Sequence, residues 1–186
     1  MAWNVKAGDA VFVSSFTFVA SAEAPVLLGA TPIFVDSDPN TYNMDPKDLQ
    51  RAIDEVKKEG KLTPKVVIPV DIFGSPCDYD AIKKIAHDNG MKVLADSCQS
   101  FGSEYKGTKT GNVADMTAVS FYPTKPLGCY GDGGAVFTNS NEENEMVKSC
   151  RVHGMSPEDH YDNIRLGMTG RMNSFQGAVL LLKMTV

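Results

Sequence analysis

Short apolar, β-branched runs alternate along this chain with longer stretches of helical periodicity, and that alternation restricts the fold more than any other feature. Six runs read as strands, near residues 11–15, 32–36, 66–71, 92–96, 116–121 and 133–138. Helical patterns fill residues 17–28, with Gly29 placed to stop the helix, then 47–59, and 80–89, closed by Gly90. Asp45-Pro46 supplies a capping carboxylate followed by a proline suited to the first helical position. A further helical pattern runs over 175–184, and residues 1–5 read as the last turn of an amphipathic helix. The polar stretch 152–163, with His153, Gly154 and His160, reads as a loop. Strands and helices alternating at this pace imply right-handed βαβ units. The expected fold is therefore α/β, a mostly parallel sheet with helices on both faces.

In open sheets of this kind ligands bind beyond the carboxyl ends of the strands. The 116–121 run breaks at Pro123, which has no N–H to give to a ladder. Lys125 then falls just past the strand end, in a loop stiffened by Pro123 and Pro126. A lone lysine is usually just solvated. Asp96, at the end of the 92–96 run with Gln99 three residues on, points elsewhere. An amine nucleophile and a carboxylate at neighbouring strand ends suit pyridoxal phosphate (PLP), the lysine forming a Schiff base and the carboxylate pairing with the pyridinium nitrogen. The plainer alternatives are that Asp96 caps the next helix, that Ser120 bonds its own backbone, and that Phe18 is core. Gly131, Gly133 and Gly134 do not fit the dinucleotide pattern GxGxxG, and a strand follows them. They read instead as tight backbone beneath the lysine loop, with positive φ available.

The motifs Ala95-Asp96-Ser97-Cys98-Gln99-Ser100-Phe101-Gly102, Ser120 to Lys125, and Gly131-Asp132-Gly133-Gly134-Ala135 occur in that order. Together they resemble the DegT/DnrJ/EryC1/StrS sugar aminotransferases, over almost the whole chain. The resemblance implies the large domain of a fold-type-I PLP enzyme, with its last strand antiparallel. It implies Lys125 and Asp96 as catalytic residues, Gln99 near the PLP hydroxyl, Ser120 helping to hold the phosphate, and Phe18 stacking on the pyridine ring. It also implies a homodimer acting on glutamate and a nucleotide-linked keto sugar, the sequence around 126–134 and 151–154 looking most like members that aminate C3 of a UDP-linked sugar. A dehydratase branch carries histidine at the lysine position, and Lys125 sets this chain apart from it. Thr169 stands where the family has an asparagine that reaches the partner's cofactor phosphate, whereas Arg171 matches the pattern. On this resemblance the chain is part of a large domain, whose start and a C-terminal small domain lie outside it. The alternative is a non-catalytic or regulatory paralogue, or a fragment, of the same fold.

Composition removes other function classes. A net charge of -5 argues against nucleic acid or an anionic membrane surface as the main partner. The apolar runs are far too short to span a bilayer, and without a leader pattern a cytoplasmic location is the default expectation. Cys77, Cys98, Cys129 and Cys150 lie far apart with no CxxC pair, so free thiols are expected and no metal site or disulfide framework.

Overall fold

The computed structural model describes residues 1–185. Along the chain come β1 (Asp9–Ser14), α1 (Ala20–Leu27), β2 (Thr31–Val35), α2 (Pro46–Glu59), β3 (Thr63–Ile68), α3 (Tyr79–Asp88) and β4 (Lys92–Asp96). A small hairpin follows, β5 (Glu104–Tyr105) and β6 (Thr108–Lys109), then β7 (Met116–Ser120), β8 (Gly134–Thr138), α4 (Asn141–Arg151) and α5 (Ser174–Lys183). The main sheet has the order β2-β1-β3-β4-β7-β8. Its first five strands pair in parallel, and β8 runs antiparallel to β7 from Met116↔Thr138 to Ser120↔Gly134. The expected α/β architecture is present, including the reversed last strand.

Burial explains why these runs became strands. Every residue of β1 is buried, as a central strand covered on both faces requires. One face packs Ala10, Phe12, Val67 and Val93 against Leu49, Ile53 and Val56 of α2 and Ile82 and Ala86 of α3. The other face carries Val11, Val13, Val66 and Ile68, with Ala22 of α1 and Trp3 against them. Local signals set the helix ends. The Asp45 carboxylate accepts the Lys47 amide at 2.8 Å with Pro46 at the first position, and Gly60 closes α2 in the left-handed region at φ 67°. Asp78 caps α3 by accepting the Ala81 amide at 3.2 Å.

Several boundaries differ from the sequence expectation. β3 covers Thr63–Ile68 and stops before Pro69, which cannot donate to the ladder, so only an isolated bridge from Val70 to Asp96 continues it. Residues 1–5 form a turn and not a helical end, with Asn4 at φ 52°. Helix α4 was not expected; Ser140 accepts the Glu143 amide at 3.2 Å, half of a capping box that the sequence Ser-x-x-Glu already carried. The glycines at 131, 133 and 134 are not at positive φ. Their lack of a side chain serves close approach instead: a Cβ on Gly133 would lie 2.9 Å from Cys129 Sγ, and one on Gly134 2.8 Å from the Val119 carbonyl.

Candidate active site

The carboxyl ends of β4 and β7 are neighbours in the sheet, with Asp96 paired to Ala118. Asp96 is the last residue of β4. It is stitched on its other side to the chain leaving β3, donating its amide to the Pro69 carbonyl at 2.9 Å and accepting the Asp71 amide at 3.1 Å. Its carboxylate is held by two protein donors: Oδ2 accepts the Ser21 hydroxyl at 2.7 Å, and Oδ1 accepts the Cys98 amide at 3.2 Å. Neither contact caps a helix, so the capping alternative does not describe this residue. Gln99 follows, half-buried, in a turn whose carbonyl would stand 3.0 Å from a Cβ on Gly74, a glycine at φ 80°.

The lysine loop is folded back on itself. The Lys125 amide donates to the Tyr122 carbonyl at 2.9 Å, and Cys129 donates its amide to the Phe121 carbonyl at 2.7 Å. A Cβ on Gly128 would sit 2.5 Å from the Pro123 carbonyl oxygen, which only glycine allows. Helix α5 clamps the same loop from outside: Lys183 Nζ donates to the Gly128 carbonyl at 2.6 Å, and Gln176 Oε1 accepts the Tyr130 amide at 2.8 Å. The Ser120 hydroxyl accepts the Tyr122 amide at 3.2 Å, the local bond expected of a strand-end serine, and its own proton remains for another acceptor.

Cys98 lies in the fields of both charged groups. Burial first, and then the Asp96 charge, push its thiol up to about 12, while the Lys125 ammonium and the Ser120 amide act in the opposite sense. The thiol is therefore neutral at working pH. Sequence reasoning treated Cys98 only as a free thiol and did not find Ser21, whose contact with Asp96 spans 75 residues. No local pattern marks such a pair.

Phe18 occupies the loop between β1 and α1 and is 72% exposed, so it is not a core residue. Thr169 Oγ1 is 2.7 Å from His153 Nε2 within its own chain, and Arg171 is exposed. An open groove of about 660 Å³ beside β8 is lined by Phe101, Val136 and Phe137; Lys125, Asp96 and Gln99 take no part in it. Among the described residues no three histidine, cysteine or acidic side chains gather as for a metal ion, and no helix is long and apolar enough to cross a membrane.

Residues 1–186 match the family model described as the DegT/DnrJ/EryC1/StrS aminotransferase family. The chain is 44% identical over 188 residues to UDP-2-acetamido-2-deoxy-3-oxo-D-glucuronate aminotransferase from Pseudomonas aeruginosa, covering 100% of this chain and 49% of that protein. It superposes with TM-score 0.97 and 46% identity on a crystal structure of a DegT DnrJ EryC1 StrS aminotransferase from Brucella abortus, covering 100% of this chain and 49% of that one. A structure of NtdA from Bacillus subtilis with bound cofactor PMP is similar at TM-score 0.85 and 30% identity, covering 98% of this chain and 40% of that one. The chain therefore spans about half the length of the relatives it matches.

Proposed function

Because the chain belongs to the DegT/DnrJ/EryC1/StrS aminotransferase family, we propose that it forms part of the PLP-binding large domain of an enzyme that moves an amino group, from glutamate, onto a nucleotide-linked keto sugar. The observation that carries this reading is that Asp96 ends β4 while Lys125 follows the carboxyl end of the neighbouring parallel strand β7. The UDP-linked 3-oxo sugar in the name of the Pseudomonas relative supports a UDP-linked 3-keto sugar as the acceptor. Cytoplasmic operation as a homodimer completes the proposal.

The residues present fit the cofactor. Asp96 Oδ1 has one amide donor and lone-pair capacity to spare, which suits a cationic ring N–H. When bound, PLP supplies an electron sink for the carbon that gains or loses its proton. Asp96 would hold the ring nitrogen in its protonated form, which keeps that sink effective. Lys125 would hold the cofactor through its amine, and the same amine, when free, would serve as the base that moves a proton. Gln99 would face the ring hydroxyl, Ser120 would give its free proton to the phosphate, and Phe18 would stack on the ring. Ring stacking accounts for an aromatic side chain left exposed at this end of the sheet.

The test uses the whole protein that carries this chain. Adding PLP should give a visible absorbance band, and borohydride should remove it and leave the cofactor's mass on the peptide containing Lys125. A band whose reduced adduct maps to another lysine would refute the assignment. Amino transfer is then read with glutamate and UDP-linked keto sugars.

A further inference from the structure

We propose that Ser21 is a positioning residue for the cofactor, holding the Asp96 carboxylate in the orientation that meets the ring nitrogen, with Thr17 as the donor behind it. The inference rests on the cofactor reading of Asp96 given above.

Ser21 is 7% exposed, and its hydroxyl lies 2.7 Å from Asp96 Oδ2. Thr17 Oγ1 lies 3.0 Å from the same serine oxygen. Proton counting gives this chain a direction. A serine hydroxyl has one proton, and an ionised carboxylate only accepts. Ser21 therefore donates to Asp96, and Thr17 must donate to Ser21. Donors aligned head to tail polarise one another and strengthen the last bond. The carboxylate is consequently held at both oxygens, by Ser21 at Oδ2 and by the Cys98 amide at Oδ1. Two tethers on opposite oxygens stop the group from turning about its Cβ–Cγ bond and leave the remaining acceptor capacity in a fixed direction.

Helix α1 starts at Ala20 with Val19 as its N-cap and no side-chain cap bond. Neither Thr17, two residues before that position, nor Ser21, two residues after it, sits where a cap forms, and their hydroxyls instead make the line that ends on Asp96. A strut between helix and sheet would explain the contact if stability were its only purpose. Only the positioning role makes the cofactor's ring nitrogen depend on Ser21.

The experiment compares Ser21→Ala, Ser21→Thr, Thr17→Val and Asp96→Asn in the whole protein. PLP labelled with 15N in the ring gives the protonation state of the ring nitrogen by NMR, and fluorescence titration gives the PLP dissociation constant. Without the serine donor the carboxylate becomes the stronger base. The 15N signal of Ser21→Ala should therefore move toward the unprotonated position, with PLP affinity about three- to tenfold weaker, the worth of one such hydrogen bond. Thr17→Val should move the signal the same way by less, and Ser21→Thr should restore both readouts. Wild-type 15N position and affinity in Ser21→Ala, alongside a clear change in Asp96→Asn, would overturn the inference and leave the cofactor reading intact. No change in Asp96→Asn would overturn both.

Discussion

Replacing Asp71 by alanine should destabilise the fold by about 3 kcal/mol, and the structure shows where that figure comes from. Asp71 is fully buried and accepts four hydrogen bonds. Oδ1 takes the Cys77 amide at 3.0 Å and the Tyr79 hydroxyl at 2.7 Å; Oδ2 takes the hydroxyls of Ser97 at 2.8 Å and Ser100 at 2.6 Å. Burial, then the charge of Asp71, push the Tyr79 phenol well above its ordinary range, so it remains a donor at every working pH. Alanine removes all four acceptors at once. The two serine hydroxyls can rotate toward other acceptors, but the Cys77 amide and the Tyr79 hydroxyl are fixed by backbone and by a packed ring. Two orphaned buried donors cost about 2–6 kcal/mol. Relief from holding an unneutralised buried charge offsets part of this, which brings the net to about 3 kcal/mol, a large fraction of an ordinary domain's stability. Asp71→Asn separates the two effects. Its carbonyl oxygen can keep the Cys77 and Tyr79 bonds, and its NH2 can donate to both serine oxygens once their protons turn away, so about 1 kcal/mol is expected. Urea unfolding of the whole protein, followed by circular dichroism, reads both values from the midpoint and slope. An alanine variant within about 0.5 kcal/mol of wild type, which is the range of ordinary surface changes, would refute the reasoning. So would an asparagine variant as damaged as the alanine one.

The fold was legible in the sequence because its strands are short apolar runs and α2 carries its own caps. Asp45-Pro46 before α2 and Gly60 after it are local signals, and the structure uses them as such. Lys125 and Asp96 could be placed at strand ends by the same means, since Pro123 ends the one strand region and the apolar run of the other stops at Ala95. What surrounds them could not be. The Ser21–Asp96 contact joins residues 75 apart, and Asp71 takes two of its four donors, Ser97 and Ser100, from a turn that the β3–β4 pairing brings beside it. Sequence periodicity reports which face of an element is buried, and it carries no information on which distant hydroxyl faces which carboxylate. Helix α4 was missed for a different reason. Its first half, Asn-Glu-Glu-Asn-Glu, is wholly polar and gives no apolar period, so only the Ser140–Glu143 cap marked it. The glycines near 131–134 were read for backbone freedom because that is glycine's commonest use, whereas contact with Cys129 and Val119 is what excludes a side chain there.

Lys125→Ala in the whole protein should abolish turnover, a loss above about 10²–10⁴-fold, while PLP still binds without a covalent link; equilibrium dialysis and activity assays read the two separately. Asp96→Asn should keep the melting temperature and lose most activity, and near-wild-type rates would remove Asp96 from its role. Glu143 accepts bonds from Trp3 Nε1 at 2.8 Å, Lys92 Nζ at 3.0 Å and Thr138 Oγ1 at 3.0 Å. Burial opposes its charge, but these donors prevail and hold its carboxyl below the ordinary range. A lowered folded-state value contributes stability above the unfolded value of about 4.3, and that contribution is lost as pH falls through the folded value. The stability gap between wild type and Glu143→Gln should therefore be full at neutral pH and shrink below about 4.3; a gap that widens in acid would reverse the sign. The last prediction concerns Gly128→Ala. The added Cβ would meet Pro123 O at 2.5 Å, Pro123 C at 2.8 Å and Tyr122 O at 2.9 Å, all of them backbone atoms that cannot swing aside as a side chain end can. The loop must open by roughly 0.9 Å or more to reach ordinary van der Waals distance. Two attachments resist this, the Lys183 bond to the Gly128 carbonyl and the Cys129 amide bond to Phe121. The opening is therefore taken up on the Lys125 side, where the amide bond to Tyr122 is the weaker restraint at 2.9 Å. Gly128→Ala should retain the fold, by circular dichroism, but lose the borohydride-reducible band at Lys125, because a shift of this size moves the amine off its bonding distance. Full covalent loading in this variant would show that the tight return of the loop does not position the lysine.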